Sequence, residues 1–264
     1  YRAVLDIDPS VADAWIKLAD IYVSVQNFSE AIRCLEIAVE LNPNNSTLLR
    51  MLGGIYYMIG DLNNAIDYYK RALEVGMETP ELWNVLGNAY YMKKELEEAL
   101  KCYKKALELK PDFVEALSNM GNVYYIMGKY DEAIKCYTEA LDKNPNMGSV
   151  WYYLGRLYES RGDIDKAIDC LEKAIEYGIS YAQARYELSR LYIKKNMRKE
   201  AILHLKKAVE IDRYFVDAWV LLAGLLLEED DLEEAMNCCR HALNINPMDV
   251  QALYVMGEAY RRKG

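Results

Sequence analysis

Residues 80–113, PELWNVLGNAYYMKKELEEALKCYKKALELKPDF, decide how the rest of the chain is read. Trp83, Leu86, Gly87 and Tyr90 recur at three- and four-residue spacing, so they share one face of a helix. With Trp83 taken as the fourth position, the same 34-residue pattern fills 12–45, 46–79, 80–113, 114–147, 148–181, 182–215 and 216–249 without a slip in register. Residues 1–11 and 250–264 are partial units. Both ends break inside a unit, so the expectation is one repeat domain cut from a longer chain, with the native N-terminus missing.

Each unit reads as two helices. Gly60, Gly128 and Gly162 fall at the fifteenth position, with Asn196 in the sixth unit, as expected where a helix ends in left-handed geometry. A polar residue follows, often with an acid three residues later, as in Asn27–Glu30 and Asp231–Glu234, which is a helix start signal. The second helix carries two alanine columns without exception: Ala31, Ala65, Ala99 and onward to Ala235, and Ala38, Ala72, Ala106 and onward to Ala242. Facing them, the first helix presents Gly53, Gly87, Gly121, Gly155 and Gly257, or Ala19, Ser189 and Ala223. The expectation is that these small residues let the two backbones approach. Pro43, Pro111, Pro145 and Pro247 close four of the units, because proline cannot continue a helix.

This chain resembles the tetratricopeptide repeat family, whose 34-residue W-x2-L-G-x2-Y…A…A…P pattern it carries along its whole length. The resemblance implies an all-α fold, a right-handed superhelical solenoid of antiparallel helix pairs whose first helices line a concave groove. It also implies that positions 2, 5, 9, 12 and 13 of the first helices face that groove. The residues there are Asn84, Asn88 and Tyr91, then Ser118, Asn122 and Tyr125, then Tyr152, Arg156 and Glu159, then Tyr186, Arg190 and Lys194. An amide and tyrosine band thus passes into a basic and tyrosine band. Asparagine can donate to and accept from an extended backbone, and arginine can fork a carboxylate. The expected ligand is an extended peptide or partner segment, acidic or carboxylate-bearing. In the seventh unit, Val220, Gly224 and Leu227 form an apolar stretch of the same face. The carboxylate clamp known in part of the family needs Lys-x3-Asn in this register, and no unit has it.

Thirty-two basic against 41 acidic residues give a net charge of −9, which disfavours phosphate backbones and anionic membranes. A helical-repeat RNA reader would need basic groove positions in most units, whereas Asp13, Asp20, Glu81, Glu115 and Asp217 occupy them here. The longest apolar run, 218–227, is too short to span a bilayer. Cys34, Cys102, Cys136, Cys170 and Cys238 all stand at the twenty-third position. Equivalent helices sit about 8–10 Å or more apart, too far for disulfides, so free thiols on a partly exposed column in a reducing, cytoplasmic compartment are expected. His204 shares that column, but its cysteine neighbours lie a full unit away, so no metal or other cofactor is expected. Neither it nor His241 completes a catalytic motif. The functional expectation is a noncatalytic protein-interaction scaffold. The alternatives are the targeting arm of a larger enzyme, or self-association through repeat ends.

Overall fold

The structure, a computed structural model, describes residues 1–264 and consists of sixteen helices with no strand. It divides into two compact units, residues 1–143 and 144–264. The first holds α1 (Arg2–Ile7), α2 (Ala12–Ser24), α3 (Phe28–Leu41), α4 (Ser46–Met58), α5 (Leu62–Glu74), α6 (Pro80–Met92), α7 (Leu96–Leu109), α8 (Val114–Ile126) and α9 (Tyr130–Lys143). The second holds α10 (Gly148–Ser160), α11 (Ile164–Glu176), α12 (Ala182–Lys194), α13 (Arg198–Ile211), α14 (Val216–Glu228), α15 (Leu232–Ile245) and α16 (Val250–Lys263). Within each unit short turns join neighbouring helices into antiparallel pairs, and each pair packs on the next.

The turn inside each pair is left-handed at the fifteenth position in all seven repeats, whatever residue stands there. Gly60, Gly128 and Gly162 take φ of 82°, 71° and 78°, and Gln26, Lys94, Asn196 and Asp230 take 59°, 65°, 58° and 63°. Packing on both sides therefore imposes a conformation that an L-residue resists by about 1–2 kcal/mol. Glycine, which bears no such penalty but loses more entropy on folding, should fit better at Lys94. Lys94→Gly is expected to stabilise the chain by about 0.5–1 kcal/mol in a urea melt. A loss of stability would show that the lysine side chain contributes more than its backbone costs.

The caps follow the sequence. Asn27 Oδ1 accepts from the Glu30 amide at 3.4 Å, and Asp231 Oδ1 from the Glu234 amide at 3.2 Å. Where no proline closes a repeat, Gly76 and Gly178 do so at φ of 98° and 93°. Three tryptophans at the fourth position tie their repeats to the turn before. The indole N–H groups of Trp15, Trp151 and Trp219 donate to the carbonyls of Pro9, Pro145 and Arg213 at 2.9, 2.8 and 3.0 Å. Arg213 in a proline position thus changes nothing at the junction, because the bond uses its backbone. Trp83, which follows the glycine-closed second repeat, has a buried Nε1 without a partner.

Every alanine of the two columns is fully buried, as close packing requires. The glycine column has a different partner from the one expected. A Cβ built on Gly53, Gly87 or Gly121 would stand 2.8, 2.6 or 2.5 Å from the ring of Tyr69, Tyr103 or Tyr137, at position twenty-four of the second helix. The glycine makes room for an aromatic ring more than for a backbone. Where position eight carries a side chain, position twenty-four carries no ring: Ala19 goes with Leu35, Ser189 with Leu205 and Ala223 with Cys239.

Candidate functional site

In the first unit, the ring over each glycine reaches through to the groove position next to it. Tyr103 and Tyr137 are buried, and their hydroxyls donate to Asn88 Oδ1 at 2.8 Å and Asn122 Oδ1 at 2.7 Å. In the second repeat the equivalent groove residue is Gly54, which offers no acceptor to Tyr69. Burial pushes the Tyr103 phenol far above its ordinary range, so it stays protonated as a donor. Asn119, on α8, adds a cross-link between neighbouring first helices by donating to both Asn84 Oδ1 and Asn88 Oδ1 at 3.0 Å.

Asn88 Oδ1 thus accepts two bonds from inside the protein, which fills its lone pairs. What remains for a ligand is the amide N–H2. Asn88, Tyr91, Asn119 and Asn122 line one cleft of about 220 Å³, which Tyr57 of α4, Met92 and Tyr103 complete. Asn84 supports this cleft through Asn119. Ser118 is buried and turns its hydroxyl to the Glu115 carbonyl at 3.0 Å, and Tyr125 lies outside the cleft with its ring 6.0 Å from Tyr130.

In the second unit, the basic band is compensated from within. Glu187, on α12, is buried and accepts from the Tyr152 hydroxyl at 3.1 Å and from Gln183 at 3.0 Å. Arg156 approaches the same carboxylate oxygen at 4.0 Å. The position is the sixth of its repeat, the one Asn119 occupies in the first unit. Lys194 bonds Glu159 at 3.0 Å. Burial, then Glu187, raises Tyr152 to about 12, so it too is a neutral donor at physiological pH. Arg156 and Arg190 lie over the rings of Tyr152 and Tyr186 on their own helices, at 5.9 and 6.0 Å. Of the three cations in this band, Arg190, which is exposed, is the one without an ion-pair partner.

A larger cleft, of about 420 Å³, lies between α12, α14 and α16. Ile193, Val220, Leu221 and Leu225 form its floor around Gly224. Tyr186 stands at one end, 5.0 Å ring to ring from Phe215. Leu227 is not part of it. That side chain is buried in the core, and Arg262 bonds its carbonyl at 2.8 Å. Leu227 lies on the same side of α14 as Val220 but about one turn beyond Gly224, at the end of the helix, and α16 packs against α14.

The repeat models match throughout both units. Tetratricopeptide repeat models align with residues 16–77, 114–147, 149–177 and 196–258, and a further TPR repeat model with 87–128. A crystal structure of MamA is 30% identical, covers 60% of this chain and 93% of its own, and superposes with a TM-score of 0.57. The chain belongs to the tetratricopeptide repeat family. YrrB, described as a TPR protein with an unusual peptide-binding site, is 25% identical over 74% of this chain and 97% of its own, with a TM-score of 0.58. The C-terminal part of a TPR repeat-containing protein from Cytophaga hutchinsonii shares the fold at 16% identity, with a TM-score of 0.74 over 91% of this chain and 99% of its own. No curated protein gives a significant sequence match.

Tetratricopeptide repeats typically build noncatalytic scaffolds, and the repeats and their relatives support a protein-interaction scaffold here. No helix is long and apolar enough to cross a membrane, and no three His, Cys, Asp or Glu side chains meet in a metal-holding group. The cysteine column, expected to be partly exposed, is buried in every repeat that carries it. His204 is half-buried in that column, and its Nδ1 has no partner. Burial, with Arg185 nearby, holds its imidazole below the ordinary value and keeps it neutral. Sequence reading missed Asn119 and Glu187. Both stand at the sixth position, between two groove positions of the tetratricopeptide pattern, where a polar residue on an otherwise apolar stripe was the available signal.

Proposed function

We propose that this protein is a noncatalytic scaffold that holds an extended polypeptide segment against its first helices, with the asparagine cleft of the first unit gripping the segment's backbone. One observation carries the reading: the oxygens of Asn88 and Asn122 are engaged by Tyr103 and Tyr137, which leaves their amide N–H2 groups as donors facing the cleft. A row of fixed donors suits main-chain carbonyls, which every sequence supplies. Tyr91 adds rigid contact area at low entropic cost. An acidic partner remains part of this reading through Arg190.

Asn88→Asp with Asn122→Asp tests it with little change in shape. Each carboxylate still accepts the tyrosine hydroxyl, but the donor is gone and a like-charged wall faces the carbonyls. In parallel affinity captures from the native source, polypeptides held by the wild-type chain should fall about tenfold or more in the double variant, a loss of roughly 1.4 kcal/mol or more. Equal retention by a variant with an unchanged helical spectrum would refute the amide grip.

A further inference from the structure

The cleft of the second unit differs in chemistry from the asparagine cleft, and it owes its existence to one residue. Position nine, which presents asparagine in α6 and α8 and arginine in α10 and α12, is Gly224 in α14. A Cβ added there would meet nothing within 4 Å. The missing side chain opens a socket over Val220, Leu221, Leu225 and Ile193. Its volume falls within the ordinary range of ligand sites, roughly 300–1,000 Å³.

Three acids border the socket: Asp217 and Glu228 from α14, and Asp249, which caps α16. No lysine, arginine or histidine lines it. Arg198 reaches Glu228 at 3.1 Å across an exposed pair, which solvent screens strongly. Asp249 accepts from the Ala252 amide at 2.8 Å, and Asp217 has no ion-pair partner. Apolar floor and acidic border together select against an acidic segment and for one that is apolar and cationic.

We infer that this cleft binds a partner polypeptide that seats a leucine, methionine or phenylalanine side chain over Gly224 and sets flanking lysine or arginine residues against Asp217, Glu228 and Asp249. The inference rests on the scaffold reading and adds a second subsite of opposite preference to the one Arg190 offers. A segment spanning apolar and basic character is read here through its side chains, whereas the asparagine cleft reads the main chain.

Fluorescence anisotropy on the full chain tests it with three labelled dodecapeptides: one alternating Leu with Lys, one with Glu in place of each Lys, and one with Ser in place of each Leu. The Leu/Lys peptide should bind, and the Glu and Ser peptides should bind at least tenfold more weakly. Gly224→Leu fills the socket without a clash and should weaken the Leu/Lys peptide at least tenfold, while Asp217→Asn should weaken it severalfold and flatten its salt dependence. Stronger binding of the Glu peptide, no binding of the Leu/Lys peptide, or undiminished binding to Gly224→Leu would each overturn the inference. The Asn88→Asp, Asn122→Asp chain separates this outcome from the broader reading. If that double variant loses its captured partners while Gly224→Leu keeps full affinity for the Leu/Lys peptide, the scaffold stands and only the socket falls.

Discussion

Gly121→Ala destabilises this protein, while the same substitution at Gly224 stabilises it. Both glycines lie inside first helices, where alanine is intrinsically better by about 0.8–1 kcal/mol. At Gly224 nothing opposes that gain, since the new methyl group meets open space. At Gly121 it would stand 2.5 Å from a carbon of the Tyr137 ring, which is wholly buried and has nowhere to go. Overpacking costs about 1–3 kcal/mol, and a ring pushed aside also gives up its hydroxyl bond to Asn122, worth about 1 kcal/mol. The losses exceed the propensity gain, so Gly121→Ala should be less stable by about 1–3 kcal/mol in urea. Gly121→Ala combined with Tyr137→Leu recreates the Ala19–Leu35 pairing of the first repeat and should recover most of that loss. If Gly121→Ala alone matches or exceeds the wild type, the ring is not packed over the glycine as described.

The second large effect is kinetic. All six thiols are free and buried, and burial before any neighbouring charge pushes Cys102, Cys170 and Cys238 to about 12, with Cys136 and Cys239 at about 11. Only the thiolate attacks a disulfide reagent, so a rise of about three units above an ordinary thiol removes about a thousandfold of the reactive form at neutral pH. Dithionitrobenzoate should therefore titrate six thiols at once in guanidinium but react roughly a hundredfold to a thousandfold more slowly with five of them in the folded chain. Cys34 should lead. It is also raised, by burial and then by Glu30, but it lines a cleft beside Arg33 and Arg2, which oppose that rise. Rapid native labelling of Cys102 or Cys170 would contradict the packing of the second helices. Because the raised group is neutral in the fold, its stabilising effect is present below the unfolded thiol pKa and declines above it, so alkaline solutions should both unfold and expose these residues.

The helix pairs, their caps and the alanine columns follow directly from period and spacing, since each depends on residues close in sequence. The partner of the glycine column did not, although the data were present. Tyr69, Tyr103 and Tyr137 occur only where position eight is glycine, a compensation visible between repeats once the pairing is suspected. The groove was legible as a set of positions, and both clefts are built from them. Its electrostatics were not, because charge compensation runs between neighbouring first helices: Glu187 meets Tyr152 and Arg156 across a full repeat, and Lys194 meets Glu159 in the same way. Leu227 was misplaced for a related reason. The helical wheel of α14 puts it near the groove, and only the packing of α16 shows that it faces the core.

The tyrosines over Gly87 and Gly121 set the orientation of the groove amides from the second helix. An asparagine in a groove can ordinarily rotate its amide and present either oxygen or nitrogen to whatever arrives. Here that freedom is removed by a tyrosine of the second helix, whose hydroxyl holds the amide oxygen. A tyrosine-to-phenylalanine change at position 137 would remove the bond that fixes the Asn122 amide, while the same change at position 103 would leave Asn88 held by Asn119. Substitutions in the second helices can thus change which amide atoms the first helices present without altering any first-helix residue.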